Sequence, residues 1–305
     1  MSNKIAKAHL ALFVTGSLWG LMSPVGKSAM DAGISSLSMA AMRIIGTAIC
    51  FWIASFFTPK EKVSKRDLML LFFAALLCIV FNQGLFIIGL SLTSPIDSTV
   101  ITTSLPFITM IMAALFLKEP ITPVKITGVV IGSIGALILV LSNYGGSGGT
   151  GSIRGDILCL IAQVCFACYL TLFKRLILRY HVITLMKWMF GYAAICYLLI
   201  AFRDLSNTFS QTYPTQVWLQ VGYVIFFGTF LTNTMVVFGQ KTLRPTVVSM
   251  YNYMQPVVGT FVSVLIGLGT FGWTKAVATL LIFAGVYVVT QSKSREQLEE
   301  QGKTA

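Results

Sequence analysis

The chain has 305 residues, 56% of them apolar and only 10% charged, with a mean hydropathy of +0.82 and a formal net charge of +12. That balance excludes an ordinary soluble globular domain. Apolar runs near twenty residues, the length a helix needs to cross about 30 Å of hydrocarbon, recur along almost the whole sequence. They predict an all-α integral membrane protein with ten transmembrane helices, over 8–26, 34–57, 68–92, 96–117, 124–142, 155–173, 184–202, 217–238, 246–267 and 273–291.

The first span follows Lys4 and Lys7, and its apolar stretch runs to residue 26 without a small-x-small cleavage site, so it is expected to remain as a span. It carries Trp19 and Pro24, and Lys27 near its outer end can snorkel to the interface. The second span holds Arg43 near its centre, where an arginine costs about 2.5–3.5 kcal/mol on insertion scales and so should face protein. Its planar fork suits a carboxylate, either that of Asp97 or one on a substrate, with backbone carbonyls as the structural alternative. Asn82 and Gln83 lie just past the middle of the third span, and Thr232 and Asn233 occupy the equivalent place in the eighth. Unsatisfied amides cost several kcal/mol in hydrocarbon, so these bond either to neighbouring helices or to a substrate.

The fourth span contains "IDSTVITTSLPF", with Asp97, Ser98, Thr99, Thr102, Thr103, Ser104 and Pro106 in twelve residues, preceded by Pro95. The ninth contains "PTVVSMYNYMQP", with Thr246, Ser249, Tyr251, Asn252, Tyr253, Gln255 and Pro256. A proline in a first turn loses nothing, whereas one in mid-helix loosens the hydrogen-bond ladder. Pro24, Pro106 and Pro256 are therefore candidate hinges. Lipid penalises so many polar groups, so the two stretches are expected to face protein or water and to line a polar route together. Back-bonding of Ser and Thr to their own helix is the structural alternative for any single hydroxyl. Trp19, Tyr169, Trp188 and Tyr251 lie inside spans, where their rings either frame an apolar ligand or simply pack. All six cysteines, the Cys165/Cys168 pair included, fall in spans without further ligands and read as small apolar side chains. No metal or cofactor is expected, and His9 and His181, at span ends, receive no role.

With the amino terminus in the cytoplasm, every Lys and Arg except Lys27, Arg154, Arg203, Lys275 and the mid-span Arg43 falls on the cytoplasmic side. The positive charge thus follows the positive-inside rule rather than marking a nucleic-acid partner, and it puts both termini in the cytoplasm. At an offset of 150 residues the chain matches itself at punctuating positions: Gly89 with Gly239, Pro95 with Pro245, Pro106 with Pro256, Gly135 with Gly285. Two five-span units follow, 1–142 and 152–291, joined by a Gly/Ser-rich connector at 143–151 and followed by a polar cytoplasmic tail at 292–305. Because five is odd, the second unit enters the membrane from the opposite face, which makes the repeat inverted, an arrangement typical of secondary transporters.

"LWGLMSPVGKSAM" followed by Arg43, and "GLSLTSPIDSTVITTSLPFITMIMAALFLKEPIT", resemble the EamA family of the drug/metabolite transporter superfamily over about 8–291. Trp19, Gly20, Pro24, Lys27, Arg43, Pro106 and Glu119 match its pattern, whereas the second-half counterpart of Glu119 is Gly269. The resemblance implies a ten-helix inverted-repeat carrier in the inner, cytoplasmic membrane of a bacterium. Its central cavity would be built from spans one, three, four, six, eight and nine. The expected function is export of small organic metabolites by alternating access, amino acids with aromatic or apolar side chains foremost. Efflux of drugs or lipophilic cations is the alternative, sugar-phosphate or nucleotide exchange the third, and a receptor or scaffold the non-carrier reading. An enzyme is not expected, since no nucleophile, base or metal set lies at span depth. Expected partners are the lipid bilayer and a small-molecule substrate, with a monomer as the expected state. The expected cavity residues are Trp19, Arg43, Asn82, Gln83, Ser98, Thr102, Thr103, Tyr169, Trp188, Asn233, Tyr251, Asn252 and Gln255.

Overall fold

A computed structural model describes residues 2–92, 101–143, 152–265 and 272–292. Pro95, Asp97, Ser98 and Gly269 lie outside the described residues. Within them every regular element is helical.

Helix α1 (Ser2–Asp31) ends at Gly33, whose φ of 108° only glycine adopts easily. Ser35 caps α2 (Ser36–Ser55) by accepting the Ser38 N–H at 3.1 Å, and Ser64 caps α3 (Lys65–Ala75) by accepting the Asp67 N–H at 3.1 Å. A π-helical turn (Leu76–Phe81) then leads into α4 (Asn82–Leu92). Helix α5 (Leu105–Leu117) stops at Lys118, which takes a left-handed φ of 54°, and α6 (Pro123–Asn143) opens with a proline. There follow α7 (Ile153–Leu172), the short α8 (Lys174–Arg179) and α9 (Val182–Phe209). Helix α10 (Thr215–Ile225), a second π turn (Phe226–Leu231) and α11 (Thr232–Thr242) form one long rod. Helix α12 (Pro245–Met250), a 3-10 turn (Tyr251–Tyr253), α13 (Met254–Leu265) and α14 (Trp273–Gln291) complete the described chain.

Among the described residues, seven of the ten expected spans are helices long and apolar enough to cross a membrane: Asn3–Met22, Ser36–Ser55, Lys65–Gly89, Ile153–Leu172, Val182–Phe209, Thr215–Thr242 and Trp273–Gln291. Leu105–Leu117 and Pro123–Ile138 are shorter apolar helices. The ninth expected span is divided, because the 3-10 turn separates α12 from α13, so neither piece reaches crossing length. Pro24 lies within α1, which continues past it. Pro106 and Pro256 do not sit in mid-helix as expected; each falls in the first turn of a restarted helix, where the missing N–H costs no hydrogen bond.

The outside of the bundle is apolar: Phe57 is 85% exposed, Leu199 81% and Leu280 68%. Side chains so placed are stable only against lipid. Inside, Phe51 of α2 meets Phe190 of α9 at 5.3 Å and Phe230 of the second π turn at 4.6 Å. Helices α6 and α14 touch through their backbones. A Cβ on Gly285 would lie 2.5 Å from the Gly132 nitrogen, and one on Gly135 would lie 2.7 Å from the Ala278 carbonyl. Gly128 and Gly132 form the small-xxx-small pattern that permits such approach.

Candidate functional site

Both helix breaks precede a proline, and they meet. Ser104 closes the turn before α5 by donating its hydroxyl to the Ile101 carbonyl at 2.6 Å. The Tyr253 hydroxyl, in the other break, donates to the Thr103 carbonyl at 3.3 Å and lies 2.6 Å from Ser133 Oγ of α6, which must then be the donor to it, since a phenol carries one proton. Thr102 is half-buried and Thr103 buried beside this junction. In the α12–α13 break Ser249 donates to the Thr246 carbonyl at 2.8 Å, Asn252 to the Ser249 carbonyl at 3.3 Å, and Gln255 Nε2 to Asn252 Oδ1 at 2.7 Å. The 3-10 turn keeps the Tyr251 and Met254 N–H groups bonded to carbonyls just upstream, and these side chains add their bonds around the tightened turn.

Helix α1 lies directly on this break. A Cβ on Gly16 would stand 2.7 Å from the Tyr251 carbonyl, and one on Gly20 would stand 2.8 Å from the Gln255 carbonyl. The Tyr251 hydroxyl lies 2.7 Å from His9 Nδ1, and Trp19 donates its indole N–H to the Gly228 carbonyl of the second π turn at 3.2 Å. Thr15, Gly16, Trp19, Phe166, Tyr251 and Asn252, with Leu12, Val236 and Val248, line a crevice of about 10 Å³. That is barely enough for one water, so this crevice is shut in the structure.

A second polar group stands between α2, α4 and α7. Arg43 Nη2 donates to Gln83 Oε1 at 2.6 Å, and Asn82 donates across to the Ala162 carbonyl of α7 at 2.8 Å. The Arg43 Nε is buried with no hydrogen-bond partner among the described residues. Three other expected residues stand apart. Tyr169, only 2% exposed, stacks between Phe166 and Phe173 and donates to Gln240 Oε1 at 3.3 Å, a core position. Asn233 bonds back to the Thr229 carbonyl of its own helix at 2.8 Å. Trp188 sits on the outer flank against Trp52, with ring centroids 5.6 Å apart. Sequence reasoning missed His9, Thr15, Ser133 and Phe166. For His9 the signal was hidden, because α1 begins at Ser2 and carries the imidazole two turns into the helix rather than leaving it at an end.

Charged groups close the end of the bundle where α2 stops and α3, α6 and α9 begin. Asp67 receives two N–H bonds from Arg179, at 3.0 and 2.7 Å, and the Tyr180 hydroxyl at 2.6 Å. That pairing raises the already high Arg179 value, the bonds to Asp67 being the main cause. Lys241 bonds the Tyr180 carbonyl, and Glu61 accepts the His181 N–H at 2.8 Å. Glu119 pairs with the buried Lys125 at 2.9 Å, while Arg244 donates to the Ser292 carbonyl at 2.6 Å. Lys174 donates to the Leu243 carbonyl at 2.8 Å; burial pulls its ammonium down to about 8, against the opposing attraction of Glu119.

The chain matches the model of the EamA-like transporter family twice, over residues 6–141 and 153–291. It is 22% identical over 284 residues to the uncharacterized transporter YyaM of Bacillus subtilis, covering 91% of this chain and 90% of that one. To the WAT1-related protein At1g43650 of Arabidopsis thaliana it is 21% identical over 318 residues, covering 95% and 92%. It also shares its fold with a protein of known crystal structure, at a TM-score of 0.74 and 18% identity, over 93% of this chain and 97% of the other. Joined to an apolar helical bundle, the paired family matches, which together span nearly the whole chain, establish that the protein is a multi-pass membrane protein belonging to the EamA-like transporter family of the drug/metabolite transporter superfamily.

Proposed function

We propose that the chain is a ten-helix secondary-type carrier, made of two inverted five-helix repeats, that exports small organic metabolites by alternating access. Amino acids with aromatic or apolar side chains are the foremost substrates. The observation that carries this reading is the junction of the two helix breaks, with the Tyr253 hydroxyl on the Thr103 carbonyl at 3.3 Å. Interrupted helices facing each other between two repeats offer backbone and amide groups to a polar solute at mid-membrane. The repeat is supported by the double family match and by element bounds that recur at an offset of 150 residues, as Leu76–Phe81 and Phe226–Leu231 do.

In this reading Asn252 and Gln255 hydrogen-bond the solute's polar head. Trp19, Phe166 and Tyr251 frame its apolar part. Arg43, with its spare N–H, draws the carboxylate. Glycines 16 and 20 let α1 lie flat on the break, so withdrawal of α1 is what opens the shut crevice. The bias of basic residues supports cytoplasmic termini in this reading, and the family likeness supports the inner membrane, with bilayer lipid as the surroundings and one chain as the working unit.

Proteoliposomes loaded with labelled aromatic amino acids test this. Wild-type protein should release them, and Arg43→Ala and Gln255→Ala should each lower release tenfold or more while folded yield is kept. Unchanged flux in both variants would remove the site assignment. Release of a lipophilic cation in place of the amino acid would transfer the same junction to the multidrug alternative.

A further inference from the structure

A groove of about 450 Å³ runs down the outer flank between α2 and α9, well away from the junction. Its size falls within the roughly 300–1,000 Å³ of small-ligand sites. Its walls, including Ile49, Ile53, Gly191 and Ile195, are hydrocarbon almost throughout. Ile49 is 55% and Ile195 58% exposed, so the groove opens sideways toward lipid rather than into the protein.

One end is chemically different. There Trp52 and Trp188 meet edge to face, Tyr192 lies 6.0 Å from Trp188, and the Lys187 ammonium stands 5.4 Å from the centre of the Trp52 ring. Tryptophan and tyrosine gather at the headgroup level of a bilayer, where basic side chains attract anionic lipid. Lys60 and Lys62 are exposed in the chain just past Phe56, which also lines the groove. The acid between them, Glu61, is tied to the His181 N–H at the start of α9 at 2.8 Å, one carboxylate against Lys60, Lys62 and Lys187. The mouth is therefore cationic, and the slot below it has almost nothing to hold water.

We propose that this groove holds an acyl chain of one anionic phospholipid, with its phosphate against Lys187 at the aromatic mouth. In the orientation proposed above, that lipid belongs to the cytoplasmic leaflet. A second copy of the chain is a poorer occupant, because a two-fold contact through this face would bring its lysine-bearing mouths together. The inference does not depend on which solute the protein moves.

Brominated acyl chains quench tryptophan on contact, so the full-length protein in phosphatidylcholine vesicles can be titrated with brominated phosphatidylglycerol or brominated phosphatidylcholine. The quenching lost when Trp52 and Trp188 are both changed to Phe isolates the groove. Phosphatidylglycerol should quench that component at about one-fifth the mole fraction that phosphatidylcholine needs, the effect of one interfacial lysine. Lys187→Gln should abolish the preference and Lys187→Arg should keep it. Equal quenching by both lipids in wild type would overturn the proposal, as would a preference that survives Lys187→Gln. So would efficient disulfide cross-linking of Ile49→Cys between two copies, which would give the groove to a second chain.

Discussion

The rod Lys65–Leu92 and the rod Thr215–Thr242 share one backbone plan and differ in what their polar groups do. Each is eleven residues of α-helix, a six-residue π turn and eleven more residues of α-helix. In the first, Asn82 reaches α7 and Gln83 receives Arg43 from α2, so the residues after the π turn are tied to two neighbours. In the second, Thr229 donates to the Val224 carbonyl, Thr232 to that of Gly228, Asn233 to that of Thr229 and Thr234 to that of Phe230, each at 2.8 Å. The Thr229 bond spans five residues and serves a carbonyl inside the widened ring. The first rod thus sends its own amides to its neighbours, whereas the second turns its polar side chains inward and takes its outside bonds from Trp19 and Thr47, which donate to its Gly228 and Ile225 carbonyls. A π turn, often found at functional sites, needs its polar groups satisfied but does not dictate by whom.

The strongest way to break the parallel between the halves is at Gly135 and Gly285, where both copies rely on missing side chains. Gly135→Leu and Gly285→Leu are each expected to cost about 3 kcal/mol through overpacking, read as a several-fold loss of monodisperse protein after detergent extraction. A tolerated change at one position with collapse at the other would show that the two copies carry unequal loads. Next in size, Asn82→Ala should lower stability by about 1 kcal/mol, while Asn233→Ala, which loses only a bond within its own helix, should cost less than about 0.5 kcal/mol. Thermal unfolding in detergent checks this, and equal shifts would erase the distinction between an amide sent outward and one turned inward.

A last effect, read against pH, concerns the charged end, where the first half supplies Glu119 and the second supplies Lys174. Burial lowers Lys174 from the usual 10.5 to about 8. Between those values the unfolded chain holds a proton that the folded one has released, so stability should rise with pH across that window. Lys174→Met should flatten that rise, as followed by unfolding midpoints from pH 7.5 to 10.5.

Much of the helical layout was legible from apolar run length. The span expected at 273–291 is the helix Trp273–Gln291, and that at 155–173 is Ile153–Leu172. Polar ends hid the extent of α1, because hydropathy falls off before the helix does; nothing stops it until Gly33. The π turns left no trace in sequence, since they depend on one inserted residue's worth of winding rather than on composition. The polar intervals near Pro106 and Pro256 were visible as chemistry and expected to line one route together, but the particular bond of Tyr253 to the Thr103 carbonyl was not, because a sequence offset does not say which groups touch. Trp188 was misleading for a related reason. A ring in mid-span fits a cavity or a lipid-facing flank equally well until its neighbours are known.

The glycine contact between α6 and α14 limits how a carrier of this kind can work. Where two main chains already touch, a roll of either helix drives side chains that flank the glycines, such as Val289 and Leu281, into the opposing backbone. In the alternating-access reading proposed above, that seam is the fixed axle about which the rest of the bundle turns.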